Sequence, residues 1–132
     1  MSASATDVKR PVAILYVEEN MMLRQTVRDV LEFAGWYVRG YDAGYGYAYV
    51  ESGDHFDLLL IDRDLRGGFD ALALVRRARQ LPHRRETPII VTSLADCADE
   101  ARAAGADAFL RKPNNLLELV ETIRRPLPAP RG

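Results

Sequence analysis

Apolar residues along this chain fall into short unbroken runs, separated by stretches with helical spacing. Residues 12–17, "VAILYV", form the first run. A run of that length, bounded by polar residues, reads as a strand buried on both faces. Leu23, Val27, Val30, Leu31 and Ala34 then recur at helical spacing, and Gly35 stops them. "WYVRGY" reads as a second strand, and "YAYVESGDHF" as a weak helix and loop. Residues 58–61 are a third run, and Ala71, Leu74, Val75 and Ala78 mark the helix after it. Pro88 opens a fourth strand, "IIVTS", at a strand start, where proline is tolerated. An alanine-rich stretch over 95–104 ends at Gly105, and "AFLRK" is a short fifth strand. Leu116, Leu119, Val120 and Ile123 mark the last helix.

Regular alternation of strand and helix predicts an α/β fold, its parallel sheet covered by helices on both faces. Right-handed crossovers leave few topologies, and five such units predict a flavodoxin-like, doubly wound order of 2-1-3-4-5. The predicted domain spans residues 11–125. Residues 1–10 are small and polar and read as a flexible arm. Residues 126–132 close the proline-rich "RRPLPAPRG" and read as a disordered tail.

In such a sheet, ligands bind beyond the carboxyl ends of the strands. Glu18 and Glu19 follow the first strand, Asp62 and Asp64 the third, Thr92 and Ser93 end the fourth, and Lys112 follows the fifth. Carboxylates crowded at one rim repel and raise one another's pKa, which a divalent cation relieves. Hard oxygen donors with room for water point to Mg²⁺. A hydroxyl and a lysine beside them suit a phosphoryl group. Of 18 Lys and Arg residues only Lys9 and Lys112 are lysines, so a compact point charge is placed at this rim in an arginine-using chain.

Composition narrows the classes. With 132 residues and 48% apolar content, the chain makes one domain with a real core. A formal net charge of -1 gives no reason to expect nucleic acid or an anionic membrane as partner. Cys97 is the only cysteine, which excludes an internal disulfide and suits a reducing compartment. No apolar run approaches the ~20 residues of a membrane span, and the start has no signal-peptide core. The expectation is a cytoplasmic protein.

From about residue 12 to 125 the chain resembles the receiver domain of two-component response regulators. "ILYVEEN", "FDLLLIDRDL", "TPIIVTS", "GADAFLRKP" and the closing amphipathic helix carry the resemblance, in order. It implies that Asp62 is the phosphoacceptor and that Ser93 is the switch hydroxyl. It makes Phe109 the aromatic switch and Lys112 the contact to the phosphoryl group, with a cis bond often found before the proline at Pro113. It implies Mg²⁺ held by Glu18, Glu19, Asp62 and the Asp64 backbone carbonyl, Glu19 being the more direct of the acid pair. A histidine kinase or phosphotransfer protein would be the donor, and a downstream protein the target. The expectation is a stand-alone, single-domain regulator and not an enzyme, beyond self-phosphorylation and self-dephosphorylation.

Four features depart from the family pattern. The acid pair is Glu-Glu, which weakens the Mg²⁺ geometry. Arg66 stands where proline is usual, in a longer loop after Asp62, and Arg63 and Arg66 are placed to stand in for the metal. The segment from Ser93 to Lys112 is short by nearly a helical turn. No helix-turn-helix or catalytic segment is read after it. The Glu-Glu pair and the remodelled loops keep open a pseudo-receiver, an interaction module not controlled by phosphate. "LLLIDRD" also mimics the DxD motif of haloacid-dehalogenase-like phosphatases, but "KPNNLLEL" supplies only one of the later acids they use.

Smaller features have ordinary readings. Tyr41, Tyr45 and Tyr49 share a helical spacing, and packing on the strands is preferred to a homodimer or partner patch. The arginines of "RRARQLPHRRE" read as a solvated face near a helix C-terminus, not a nucleic-acid site. His55 and His83 read as surface residues, and Cys97 as inert.

Overall fold

The computed structural model describes residues 12–112 and 115–127. Five strands, β1 (Ala13–Val17), β2 (Tyr37–Tyr41), β3 (Leu58–Asp62), β4 (Ile89–Ser93) and β5 (Ala108–Arg111), alternate with five helices. These are α1 (Met21–Phe33), α2 (Ala43–Glu51), α3 (Ala71–Gln80), α4 (Ala98–Ala104) and α5 (Leu116–Arg124). The strands form one parallel sheet in the order β2-β1-β3-β4-β5, the doubly wound order the sequence predicts.

The unbroken apolar runs are explained by two cores. Side chains alternate across a strand. Leu15, Val17, Leu59, Ile61, Ile89 and Val91 enter one layer, with Val50, Leu74, Val75 and Ala101 from α2, α3 and α4. Ile14, Tyr16, Leu58, Leu60 and Ile90 enter the other, with Val27, Leu31, Leu119 and Ile123 from α1 and α5. All of β3 and β4 is buried, which leaves their carboxyl ends as the place for polar groups. Truncating one of these leucines to alanine costs about 2–5 kcal/mol.

Helix starts are fixed by side-chain caps. Asn20, Asp42, Asp70 and Asn115 each accept backbone N–H groups from the first turn that follows. The longer loop after Asp62 turns at Gly67 and Gly68, with φ of 72° and 79°, a left-handed conformation that suits glycine. The short segment between Ser93 and Lys112 leaves α4 only seven residues, with buried Cys97 at its N-cap.

Several expectations change. Tyr41 closes β2, within the predicted second strand, so the helical spacing it shares with Tyr45 and Tyr49 does not put it in α2, and Tyr49 stacks on it with ring centroids 4.4 Å apart. Tyr49 also lies under the Arg39 guanidinium, while Tyr45 stands exposed. The "RRARQLPHRRE" face is not simply solvated. Arg84 is buried and donates to the carbonyls of Tyr49, Val50 and Ser52, satisfying the C-terminal end of α2. Arg79 donates to the carbonyls of Gly105, Arg85 and Thr87 and pairs with Asp107. Leu127, assigned to the tail, is buried in the second layer. The arm at 1–10, the tail beyond 127 and the Pro113 bond lie outside the described residues.

Candidate functional site

Parallel strands bring the predicted residues to one rim, but not all into one cluster. Glu18 and Asp62 are 2% and 1% exposed, and Lys112 joins them. The Lys112 ammonium donates to Asp62 Oδ2 at 3.0 Å and to Glu18 Oε1 at 3.1 Å. The Asp64 N–H donates to Asp62 Oδ1 at 3.0 Å, and the Asn20 N–H to Glu18 Oε2 at 3.1 Å. Burial, then the neighbouring Glu18 carboxylate, pushes the Asp62 pKa up to about 6. Burial opposes the charge on Lys112, but the bonds and charges of Asp62 and Glu18 outweigh it and hold its pKa above the usual lysine value.

Ser93 is buried at the end of β4, and its hydroxyl donates to Asp64 Oδ1 at 3.0 Å. Asp64 therefore enters the site through its carboxylate, one of the acids predicted at the rim, and that carboxylate is bonded to Ser93. Phe109 is half-buried on β5, beside Val91, and packs against the first core layer. Glu19 departs from the expectation. Its Oε1 accepts the Ala43 N–H at 2.8 Å, so it caps α2 and does not join Glu18 and Asp62. Among the described residues, Arg63 and Arg66 make no ion pair with the site acids, and Lys112 supplies the positive charge. His55 is exposed and bonds Asp57.

Sequence reasoning missed two groups. Tyr16 lies inside the first apolar run and reads as plain core, yet its hydroxyl donates to Glu18 Oε1 at 3.3 Å. Burial, then the charges of Glu18 and Asp62, raises its pKa far above the ordinary range, so it stays a neutral donor. The signal was parity, since residues two apart on a strand share a face. Arg24 donates to the Glu18 carbonyl at 2.6 Å and anchors the loop from α1.

Oxygen donors of this kind suit a hard cation. As arranged, the residues do not make a Mg²⁺ site. Among the described residues no three acidic, histidine or cysteine side chains stand together as a metal-binding group. Lys112 lies against Glu18 and Asp62, and Glu19 is bonded elsewhere.

The family profile of the response regulator receiver domain matches residues 14–124. This chain belongs to that family. The receiver domain is a module of two-component signalling, and it generally works with a histidine kinase or phosphotransfer protein and with Mg²⁺ in its acidic pocket. This receiver domain is 31% identical over 124 residues to the transcriptional regulatory protein PdtaR of Mycobacterium tuberculosis, covering 89% of this chain and 57% of that protein. It is 35% identical over 114 residues to the cyclic di-GMP phosphodiesterase response regulator RpfG of Xanthomonas campestris, covering 80% of this chain and 29% of that one. The chain thus spans only part of the relatives it matches. The chemotaxis response regulator CheY4 of Vibrio cholerae superposes with a TM-score of 0.81 at 25% identity, over 89% of this chain and 100% of that one. The phosphatase reading gives way to this family. Among the described residues no helix is long and apolar enough to cross a membrane.

Proposed function

We propose that Asp62 accepts a phosphoryl group from the phosphohistidine of a histidine kinase or phosphotransfer protein, and that the aspartyl phosphate resets the surface of α4, β5 and α5 for a downstream protein. The observation that carries this reading is the Asp62 carboxylate at the end of the central strand, with an ammonium 3.0 Å away. One carboxylate oxygen attacks phosphorus in line. The P–N bond breaks, its electron pair stays on the imidazole nitrogen, and an O–P bond forms. Lys112 meets the charge on the phosphoryl oxygens, and Ser93 offers a hydroxyl. Phe109, half-buried, follows the Ser93 movement inward, a two-state shift driven by contacts made only to the phosphorylated form.

Exposed apolar residues support a protein donor. Met21 and Met22 open α1, Leu94 follows Ser93, and Leu117 lies in the first turn of α5, all at the carboxyl end of the sheet. Assigning Mg²⁺ to Glu18, Glu19, Asp62 and the Asp64 carbonyl requires Glu19 to leave Ala43, so no step above depends on it.

Intact mass tests the reading. Wild type and Asp62→Asn are incubated with phosphoramidate or a phosphorylated histidine phosphotransfer domain, with and without Mg²⁺. One phosphoryl group on wild type and none on the variant is the expected outcome. No gain from either donor sinks the phosphoacceptor reading and leaves an interaction module independent of phosphate.

A further inference from the structure

Two donors on consecutive residues converge on one carboxylate at the rim of the site. The Ser93 hydroxyl donates to Asp64 Oδ1 at 3.0 Å, and the Leu94 N–H donates to Asp64 Oδ2 at 2.9 Å. From the other side, the Asp64 N–H is anchored on Asp62 Oδ1 at 3.0 Å. A serine hydroxyl has one proton to give. Ser93 gives it to Asp64, and its oxygen accepts the Ala95 N–H at 3.1 Å. Nothing is left on Ser93 to donate to a phosphoryl oxygen while Asp64 holds it. An ionised carboxylate is a strong acceptor of the same kind as a phosphoryl oxygen, so the two compete for the same donors.

We propose that the Asp64 carboxylate is an internal stand-in for the phosphoryl group, which it precedes on Ser93 and Leu94 and which must displace it to throw the switch. This rests on the phosphoacceptor reading of Asp62. Asp64 is then a positioning residue acting through Ser93. Displacement has a path to the output surface. The Leu94 carbonyl accepts Arg111 Nε at 3.1 Å, and Arg111 closes the strand that carries Phe109. The negative charge of Asp64 also stands near the nucleophile and opposes an incoming phosphoryl dianion. Both effects make phosphorylation harder than the Asp62–Lys112 pair alone would set.

The test combines amide exchange with a mutant cycle in wild type, Asp64→Ala, Asp64→Asn, Ser93→Ala and the Ser93→Ala/Asp64→Ala double variant. In the unphosphorylated wild type the Leu94 amide is protected from hydrogen exchange. In Asp64→Ala it moves upfield and exchanges at least tenfold faster. With limiting phosphoramidate, whose P–N bond breaks as the Asp62 O–P bond forms and ammonia leaves, the phosphorylated fraction rises at least fivefold in Asp64→Ala. Asp64→Asn, which keeps the shape without the charge, falls between. In the Ser93→Ala background the gain shrinks to twofold or less. Equal Leu94 exchange with and without the Asp64 carboxylate overturns the proposal, as does an equal gain in both backgrounds. Ready phosphorylation of wild type with no change in Asp64→Ala removes this proposal and leaves the phosphoacceptor reading standing. No phosphoryl gain in any variant overturns both.

Discussion

Replacing Lys112 by Met keeps the side chain's length and removes the ammonium that Glu18 and Asp62 share. Asp62 titrates at about 6 with the lysine present, against about 3.9 for an exposed aspartate. At 1.36 kcal/mol per pKa unit, holding this carboxyl group in the folded protein at pH 7.5 costs about 3 kcal/mol. Its side chain is 2% exposed, so solvent screens little of this. Without the lysine, two buried carboxylates face each other, and the cheapest state protonates Asp62. That state costs about 5 kcal/mol at pH 7.5, so titration alone accounts for a loss of about 2 kcal/mol. Loss of the charged hydrogen bond to Glu18, offset in part by relief of the buried ammonium, brings the total to about 3–4 kcal/mol, the bond to Asp62 being already contained in its titration. At pH 5, Asp62 is largely protonated in both proteins, and the loss is smaller by about 2 kcal/mol. Urea unfolding at both pH values, followed by circular dichroism, measures the two differences at constant m-value. A loss below about 1 kcal/mol at pH 7.5, or the same loss at both pH values, would refute the shared-ammonium account.

Two further outcomes follow, one from the same cluster and one from the end of α2. Between about pH 4 and pH 6 the native state keeps a proton on Asp62 that the unfolded chain has released, so stability falls as pH rises through that window. Asp62→Asn removes this component, and a stability–pH slope identical to wild type would contradict the raised pKa. Arg84→Met leaves the carbonyls of Tyr49, Val50 and Ser52 without their donor, and a destabilisation of about 2–4 kcal/mol is expected in urea unfolding. A near-neutral result would show that water replaces the guanidinium there.

The convergence of Glu18, Asp62, Ser93 and Lys112 was legible because each follows an apolar run. Runs long enough only for strands, alternating with helices, must lie parallel, and parallel strands put every carboxyl end on one side of the sheet. The acid pair was less legible, although its parity was in the sequence. Adjacent residues leaving a strand point to opposite sides. Glu18 shares its side with Tyr16, whose hydroxyl it accepts. Glu19 must turn the other way, toward a helix start whose first N–H groups have no intrahelical partner, and it meets Ala43 there. The burial of Arg84 and the partners of the Asp64 carboxylate were hidden for a different reason. One arginine among five neighbours is turned inward by carbonyls at the end of α2, more than thirty residues earlier in the chain. One carboxylate two residues past Asp62 is claimed by a hydroxyl and an amide on β4 and the loop beyond it. In both cases the side chain's partner is an unsatisfied polar group presented by tertiary packing. Apolar pattern places strands and therefore places nucleophile and lysine. Orphan donors and acceptors at element ends then decide which charged neighbours are drawn in, and here they draw Glu19 away from the cluster and Asp64 onto the switch.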